Sequence, residues 1–256
     1  MKNKKGVFVG IDIGGTKTRG ILWDGKKILR KRKIKTSQTR AGFENGLKKI
    51  IAGLSRGKKI AGIGIGSASV VSGTILKFSA NIPKVKNFDF NNLRDFIPQV
   101  VGFHPAKIKV DNDARCFARG EYLLGAGSPR QRRGSGYKSI FALTIGTGIG
   151  RAYVKNGKIL KVKKLEYAER WEKKYQKIRD KKGDSELAEF LGKNLTKLIK
   201  PYKPQAIIIG GGVAMKRRNF ISKLKKSFIK NGLKVPVLKS RLGDHSAALG
   251  AVLLFE

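Results

Sequence analysis

The chain has 256 residues, 40% of them hydrophobic, with 32 glycines, 7 prolines and a formal charge of +40 from 57 Lys and Arg against 17 Asp and Glu. This length allows one large domain or two ordinary ones, and the composition excludes collagen-like and disordered proteins. A single cysteine, Cys116, excludes an intramolecular disulfide and a zinc cage built from cysteines, which favours a reducing, cytoplasmic setting.

The first elements in chain order form a unit that the sequence repeats. The segment IDIGGTKTRGILWDGKKIL at 11–29 matches LTIGTGIGRAYVKNGKIL at 143–160 with a constant offset of 132, apart from one gap near the end. Each copy predicts a strand, a glycine-rich turn, a second strand and a two-residue hairpin turn, because Asp24-Gly25 and Asn156-Gly157 favour positive φ angles. We therefore expect two halves that open with the same unit.

The rest of the chain alternates between strand and helix patterns, which predicts α/β layers. Between the two copies we expect a helix at 42–54, a strand at 60–66, a hairpin at 70–78, a helix from Asn91, a strand at 107–110 and a helix at 112–124. After the second copy we expect helices at 167–178 and 184–199, a strand at 206–209, a helix from Ala214, a strand near Val235 and a closing helix from Asp244.

The two glycine-rich turns are candidate phosphate sites. Such turns expose backbone N–H groups to an anion, and two of them facing each other would hold a nucleotide. Asp12 in the first copy is replaced by Thr144 in the second, so only the first turn has a carboxylate that can hold Mg²⁺, directly or through water. For either copy alone, a plain hairpin turn is the simpler interpretation.

Two further segments are candidates for chemistry. Three glycines, 210–212, follow the apolar strand IIIG, and the backbone there can approach a flat ligand, although an ordinary strand-to-helix connection also fits. In KVDNDARCFARGE, Asp111, Asn112 and Asp113 lie where a strand gives way to a helix. They are either helix caps or a sugar-binding asparagine beside a general base that accepts a hydroxyl proton.

These motifs together resemble the ROK family of sugar kinases and related repressors, within the sugar kinase, Hsp70 and actin superfamily. GIDIGGTKTRG and LTIGTGIG resemble its two phosphate motifs, GIGIGSASVVSGTI with SANIPKV its sugar-side segment, and VDNDARCFARGE its catalytic motif. IIIGGGV resembles its adenosine motif and LGDHSAALGAVLL its closing helix, so the resemblance covers nearly the whole chain.

The resemblance implies a two-lobed α/β fold of the actin and hexokinase type, with a duplicated ribonuclease H-like core and a cleft between the lobes. We expect an N-terminal lobe at 1–112, with the helix at 244–256 packed on it, and a C-terminal lobe at 113–243. The family's cofactors would be ATP and Mg²⁺. A homodimer is compatible with the sequence.

The resemblance also assigns roles to individual residues. Asp113 would be the catalytic base, Asn112 and Asn81 would contact the sugar, and Asp12 would hold Mg²⁺. The nucleotide would lie on the remaining motif residues, which are Gly14, Gly15, Thr16, Lys17, Gly146, Thr147, Gly148, Gly210, Gly211 and Gly212.

One segment departs from the family pattern, since neither the usual Glu-x-x-His sugar motif nor the Cys-rich zinc loop is intact. Counting from the Asn-Gly hairpin places the family's glutamate near Glu169 and its histidine near Glu172. Glu169 is therefore the candidate for binding sugar hydroxyls, and no zinc is expected. The alternative is an exposed helix with i to i+4 pairs between Glu166 and Arg170 and between Glu169 and Lys173.

The resulting hypothesis is ATP-dependent phosphorylation of a hexose or N-acetylhexosamine. The alternatives are a catalytically weakened sugar or nucleotide sensor and a basic nucleic-acid-binding derivative. Against the last, the basic residues are spread without a dominant tract or a known nucleic-acid module. A repressor of the family is not expected, because the first phosphate strand starts by Gly6 and leaves no room for a helix-turn-helix before it. The longest apolar runs, at 207–215 and 247–255, are too short to span a membrane.

Overall fold

The computed structural model describes residues 6–94, 107–128 and 136–256. Their strands are β1 (Val7–Ile13), β2 (Lys17–Trp23), β3 (Ile28–Lys35), β4 (Ile60–Ser67), β5 (Val70–Ser72), β6 (Ile75–Phe78), β7 (Phe88–Asp89), β8 (Lys107–Asn112), β9 (Ser139–Ile145), β10 (Ile149–Lys155), β11 (Lys158–Leu160), β12 (Ala206–Gly210) and β13 (Val237–Lys239). Their α-helices are α1 (Arg40–Ser55), α2 (Asp113–Leu123), α3 (Lys163–Glu166), α4 (Glu172–Ile178), α5 (Asp184–Ile199), α6 (Gly212–Lys216), α7 (Phe220–Lys230) and α8 (Ser246–Val252).

The chain divides into two compact units. Unit 1 contains the chain up to Gly120 together with His245–Glu256, and unit 2 contains Glu121–Asp244. Each unit has its own hydrophobic core, built in unit 1 around β1, β4 and α1 and in unit 2 around β9, β12 and α5.

The central sheets of the two units have the same topology. Their strand orders are β3-β2-β1-β4-β8 and β11-β10-β9-β12-β13. In each sheet the hairpin strands pair antiparallel and the other neighbours pair parallel. Because β9 and β10 begin and end 132 residues after β1 and β2, the predicted repeat and the mixed α/β fold with a duplicated core are confirmed.

The sheet of unit 1 is covered by helices on both faces, as expected for parallel strands whose residues are almost all buried. On one face lies α1, capped by Thr39, whose hydroxyl accepts from the Gly42 N–H at 3.2 Å. On the other lies α8, where a Cβ added to Gly64 would lie 2.0 Å from the Ala251 carbonyl oxygen. Only glycine permits this close approach of helix and strand.

The two hairpin turns differ from each other. Asn156 and Gly157 have φ angles of 50° and 78° and form the predicted two-residue turn between Lys155 and Lys158. The same prediction was wrong for Asp24-Gly25, because the loop there has four residues between β2 and β3. The Asp24 carboxylate accepts from the N–H groups of Lys26 and Lys27, each at 2.8 Å, and stabilises the longer loop.

The start of the helix predicted at 167–178 was also wrong. It begins at Glu172, and Tyr167–Trp171 lie outside any helix, so the pairs proposed for 166–170 and 169–173 do not share a helical face. The helix predicted from Asn91 corresponds to a 3-10 helix at Phe90–Leu93, and its continuation at 95–106 falls outside the described residues. Within the described ranges, every helix is too short or too polar to span a membrane.

Candidate functional site

The first glycine-rich turn, residues 14–16, lies between β1 and β2 and is called loop 1. Its carbonyl oxygens all accept hydrogen bonds: Gly14 from the Thr36 hydroxyl at 2.7 Å, Gly15 from Gln38 Nε2 at 3.0 Å and Thr16 from the Thr36 N–H at 3.0 Å. The N–H groups of Gly15 and Thr16 make no hydrogen bond to any residue that the structure describes. Two backbone donors are therefore available to an anion.

The second glycine-rich turn, residues 146–148, lies between β9 and β10 and is called loop 2. Its carbonyl oxygens are also all bonded: Gly146 to the Tyr175 hydroxyl at 2.6 Å, Thr147 to Arg179 Nη1 at 3.0 Å and Gly148 to the Gly146 N–H at 2.9 Å. Within the described ranges, no acceptor is paired with the N–H of Thr147 or Gly148. Loop 2 therefore presents backbone donors in the same way as loop 1.

The third glycine cluster lies beside loop 2 within unit 2. Gly211 has φ +91°, and a Cβ added there would lie 2.5 Å from the backbone nitrogen of Ile145, the last residue before the loop. Helix α6 begins directly afterwards, at Gly212 and not at the predicted Ala214. The end of β12 and the start of loop 2 are thus in backbone contact, as a shared ligand site for 210–212 and 146–148 would require.

Asp12 occupies the end of β1 next to loop 1. Its side chain is 16% exposed, and its Oδ2 lies 3.8 Å from Nη1 of Arg19 on the paired strand. Lys17, which follows loop 1, is exposed. Among the described residues no group of three or more His, Cys, Asp or Glu side chains could hold a metal. A single carboxylate such as Asp12 is nevertheless compatible with Mg²⁺, because this ion is often held by one carboxylate together with substrate phosphates and water.

At the junction of β8 and α2, two of the three polar residues have structural roles. Asn112 Oδ1 accepts from the N–H groups of Ala114 at 3.0 Å and Arg115 at 3.3 Å, so Asn112 is the helix cap. Asp111 is buried and forms ion pairs with Arg115 Nε at 2.5 Å and Arg119 Nη2 at 3.0 Å. Its charge is therefore compensated inside unit 1.

Asp113, the third polar residue, is in a different situation. Its carboxyl Oδ1 accepts from the Ala114 N–H at 2.8 Å, and its Oδ2 accepts no hydrogen bond from the described part of the chain. Burial raises the pKa of Asp113 to about 6, although the backbone hydrogen bonds and the charge of Arg115 oppose the shift. A carboxyl group with this pKa is suited to accept a proton near neutral pH.

The turn at 68–69 connects loop 1 to this junction. Its Ala68 N–H donates to the carbonyl of Ile13, directly before loop 1, at 3.1 Å, and the Ser69 carbonyl accepts from Asn112 Nδ2 at 3.4 Å. The Ala68 carbonyl accepts from the Ser79 hydroxyl at 2.7 Å. Loop 1, the segment at 79–81 and the start of α2 are thus held together within unit 1.

Asn81, a predicted sugar residue, lies against loop 1. A Cβ added to Gly15 would lie 2.5 Å from the Asn81 Cβ. The Asn81 N–H is 3.3 Å from the Ser79 hydroxyl, which fixes the backbone of this segment. The structure therefore brings Asn81 together with loop 1 and, through the turn at 68–69, with Asn112.

Glu169, the other predicted sugar residue, belongs to unit 2 and is half-buried. Its N–H donates to Glu172 Oε1 at 2.7 Å, and Glu172 is buried in an ion pair with Arg151. Burial lowers the pKa of Arg151 to about 10, and the nearby charge of Glu169 opposes that shift. Glu172 is therefore a structural residue, whereas the Glu169 carboxylate lies on the partly exposed segment before α4.

The residues that bind the loop carbonyls were not found from the sequence. Thr36 and Gln38 follow a strand and carry no recognisable motif. Tyr175 carries no motif either; its side chain is buried and its hydroxyl bonds to loop 2. Nothing in the sequence distinguishes Arg179 from the surrounding lysines and arginines.

The profile of the ROK family matches residues 8–164 and 172–256, and the break falls on the segment that contains Glu169. The glucokinase of Thermotoga maritima is 33% identical over 159 residues, which cover 60% of this chain and 46% of that protein. The chain thus spans about half the length of the curated glucokinases it matches first.

Two other relatives are matched over nearly their whole length. The polyphosphate glucokinase of Mycobacterium tuberculosis is 25% identical over 256 residues, covering 95% of this chain and 89% of that protein. A crystal structure of a ROK family glucokinase from Streptomyces griseus in complex with glucose and AMPPNP superposes with a TM-score of 0.77 at 25% identity, covering 97% of this chain and 99% of that chain.

Proposed function

Because the chain belongs to the ROK family, we propose that it is an ATP-dependent kinase for a hexose or N-acetylhexosamine, with Asp113 as the general base. The observation that carries this proposal is the state of Asp113. Its carboxyl has a pKa raised to about 6, and one of its oxygens accepts no hydrogen bond from the described residues. The adjacent Asn112 provides the helix cap, so Asp113 is not needed for that purpose.

In the proposed function, loops 1 and 2 are the elements that bind the phosphate donor. Their free backbone N–H groups suit the phosphates of ATP, and the glycines at 210–212, in contact with loop 2, suit the adenosine. Asp12 would hold Mg²⁺, which, when bound, neutralises charge on the phosphates. The AMPPNP complex of the Streptomyces griseus relative supports ATP as the donor.

The proposed sugar-binding residues are Asn81, Asn112 and Glu169. Asn112 Oδ1 is used in the helix cap, but Nδ2 carries two hydrogens, and the Ser69 carbonyl takes only one of them. The second is available to a sugar hydroxyl. Glu169 would accept hydrogen bonds from sugar hydroxyls in the place of the family's glutamate.

In the proposed reaction Asp113 removes the proton from a sugar hydroxyl while the hydroxyl oxygen attacks the γ-phosphorus of ATP. The new O–P bond forms while the bond from phosphorus to the β,γ-bridging oxygen breaks, and ADP leaves with that electron pair. The product is a sugar phosphate, and the proton resides on Asp113 until solvent removes it.

The test is ADP release with a panel of hexoses and N-acetylhexosamines, for the wild type and for Asp113→Asn. The exposed Glu186→Gln on α5 is a matched control for loss of a carboxylate. We expect turnover to fall about 10²- to 10⁴-fold in Asp113→Asn and to remain unchanged in Glu186→Gln. The proposal fails if no sugar stimulates turnover, or if Asp113→Asn is as active as the wild type.

One surface favours inorganic polyphosphate as a second donor. On β2 and β3, Lys17 lies directly opposite Lys35 and Arg19 opposite Lys33, next to loop 1. Asp12 partly compensates Arg19, but like charges in directly opposed positions still destabilise a sheet, and a bound polyanion would offset this repulsion. Assays with polyphosphate in place of ATP test this donor. Lys33→Gln should reduce turnover with polyphosphate and leave turnover with ATP unchanged; equal effects on both donors would exclude this role for the surface.

A further inference from the structure

The two phosphate loops are supported by different parts of the fold. In unit 1, β3 continues to Lys35, opposite Lys17, and so delivers Thr36 to loop 1. In unit 2, β11 pairs only with the far end of β10 and ends at Leu160, opposite Tyr153. No strand therefore reaches loop 2 from that side within the described residues of unit 2.

Helix α4 supplies the missing hydrogen bonds. The Tyr175 side chain is fully buried and its hydroxyl donates to the Gly146 carbonyl at 2.6 Å. One turn later, Arg179 Nη1 donates to the Thr147 carbonyl at 3.0 Å. We call Tyr175 and Arg179 the loop-2 brace. Both copies of the repeat thus tie down the loop carbonyls, although they use unrelated side chains.

Both ends of α4 are anchored within unit 2. At its start, the buried Glu172 pairs with Arg151 of β10. Just past its end, Arg217 Nη2 donates to the Arg179 carbonyl at 2.5 Å, while Arg217 Nη1 lies 3.1 Å from Asp184 of α5. The brace is therefore attached to β10 and α5, which form part of the folded core of unit 2, and not to a loop that is free to move.

The chemistry of the brace indicates support of the loop more than contact with phosphate. The Arg179 guanidinium also faces Asp180, at 2.5 Å between Nη2 and Oδ2, and lowers the pKa of that carboxyl, so much of its charge is compensated. Burial raises the pKa of Tyr175, which keeps its hydroxyl protonated as a donor at every physiological pH. Both side chains direct their donors at carbonyl oxygens.

On the premise of the proposed function, we infer that Tyr175 and Arg179 are positioning residues for the phosphoryl donor. By holding the carbonyls of Gly146 and Thr147, they keep the N–H groups of Thr147 and Gly148 available to the donor's phosphates. The segment at 165–171, where the match to the family profile breaks, leads directly into this helix. The match resumes at residue 172, so Tyr175 and Arg179 themselves lie within the matched part of the chain.

The test compares Tyr175→Phe, Arg179→Ala and Arg179→Lys with Lys177→Ala, an exposed residue of the same helix. Dissociation constants for ATP and AMPPNP are measured by calorimetry without sugar, and KM for ATP and for sugar are measured separately. We expect Tyr175→Phe and Arg179→Ala to raise the nucleotide Kd and the KM for ATP about five-fold, the equivalent of one lost hydrogen bond. The KM for sugar and the constants of Lys177→Ala should not change.

Arg179→Lys should recover part of the nucleotide affinity that Arg179→Ala loses, because the lysine ammonium can still donate to the Thr147 carbonyl. The inference is overturned if Tyr175→Phe and Arg179→Ala bind nucleotide like the wild type, or if they lower only Tm. It is also overturned if KM for sugar and for ATP rise together. A wild type that binds nucleotide but shows no sugar-stimulated turnover would refute the proposed kinase, while the nucleotide dissociation constants would still decide the inference.

Discussion

The side-chain oxygen of Asn112 caps α2, with hydrogen bonds from Ala114 at 3.0 Å and Arg115 at 3.3 Å, and this frees the neighbouring Asp113 from the capping role. Asp113 keeps the hydrogen bond from the Ala114 N–H on Oδ1 and a pKa raised to about 6. A carboxylate that served as the cap would gain stabilisation of its charge and a lower pKa. The division of roles between these adjacent residues leaves Asp113 with the raised pKa that the proposed general base would need.

The first prediction concerns the pH dependence of turnover. Because Asp113 must be ionised to accept a proton, kcat/KM for the sugar should rise with pH and level off above a midpoint near 6. It is measured between pH 5 and 8 at a saturating donor concentration at each pH. Glu186→Gln should give the same profile as the wild type. A flat profile over this range would contradict the assignment of Asp113.

The second prediction concerns stability. The pKa of Asp113 is about 6 in the fold, against 3.8 for the free side chain. Between these values the folded state binds more protons than the unfolded state, so the free energy of unfolding falls as pH rises through this window. Asp113→Asn removes that cost. At pH 7.5 the free energy of unfolding of the variant should exceed that of the wild type by on the order of 2 kcal/mol. One pKa unit corresponds to about 1.4 kcal/mol, and the full value is reduced because the side chain is only half-buried.

Denaturant unfolding of both proteins at pH 4 and pH 7.5 measures this difference. The advantage of Asp113→Asn should shrink at pH 4, where the wild-type carboxyl is protonated in the fold. A variant that is more stable at pH 7.5 and yet inactive would show a functional group maintained at a cost in stability. Equal differences at the two pH values would show that the carboxyl is not perturbed by folding.

The third prediction concerns Glu121, a buried carboxylate in unit 2. Its Oε1 accepts from the Ser240 hydroxyl at 2.6 Å and the Leu242 N–H at 3.0 Å, and its Oε2 from the N–H groups of Ala126 at 2.9 Å and Arg241 at 3.1 Å. Glu121→Ala leaves these donors unpaired and should lower the free energy of unfolding by about 2–4 kcal/mol.

Glu121→Gln retains one acceptor oxygen and should cost about half as much as the alanine variant. Thermal and denaturant unfolding of both variants measure whether the glutamine variant loses less stability than the alanine variant. Nucleotide affinity measured well below Tm should remain close to that of the wild type, because Glu121 contacts neither phosphate loop in the hydrogen bonds described. A loss of nucleotide affinity at full folding would assign Glu121 a role beyond stability.

The repeat could be predicted from the sequence because its physical causes are local. A strand, a glycine turn and an Asn-Gly hairpin are specified by neighbouring residues, and β9 and β10 follow β1 and β2 at the predicted offset. The Asp24-Gly25 turn was predicted incorrectly because the same dipeptide type also fits a longer loop. There the Asp24 side chain, which Asn156 does not reproduce, bonds to the backbone of Lys26 and Lys27.

The remaining parts depend on contacts between distant residues. The start of α4 is set by Glu172, which tolerates burial only because Arg151, 21 residues earlier, compensates its charge. Similarly, which of Asp111 and Asp113 has a compensated charge depends on Arg115 and Arg119, because both arginines pair with Asp111. Such pairings have no signal in the hydrophobic pattern.

Helix α8, which packs on Gly10 and Gly64, also affects how the protein is made. A ribosome delivers the strands of unit 1 first, but the helix that covers this face of the sheet emerges only after all of Glu121–Asp244 has been synthesised. One face of the nascent unit 1 sheet therefore stays uncovered until α8 is synthesised, whereas the contiguous unit 2 can complete its core before unit 1 does. Domains usually fold in the order of their synthesis; here we expect the later unit to finish first.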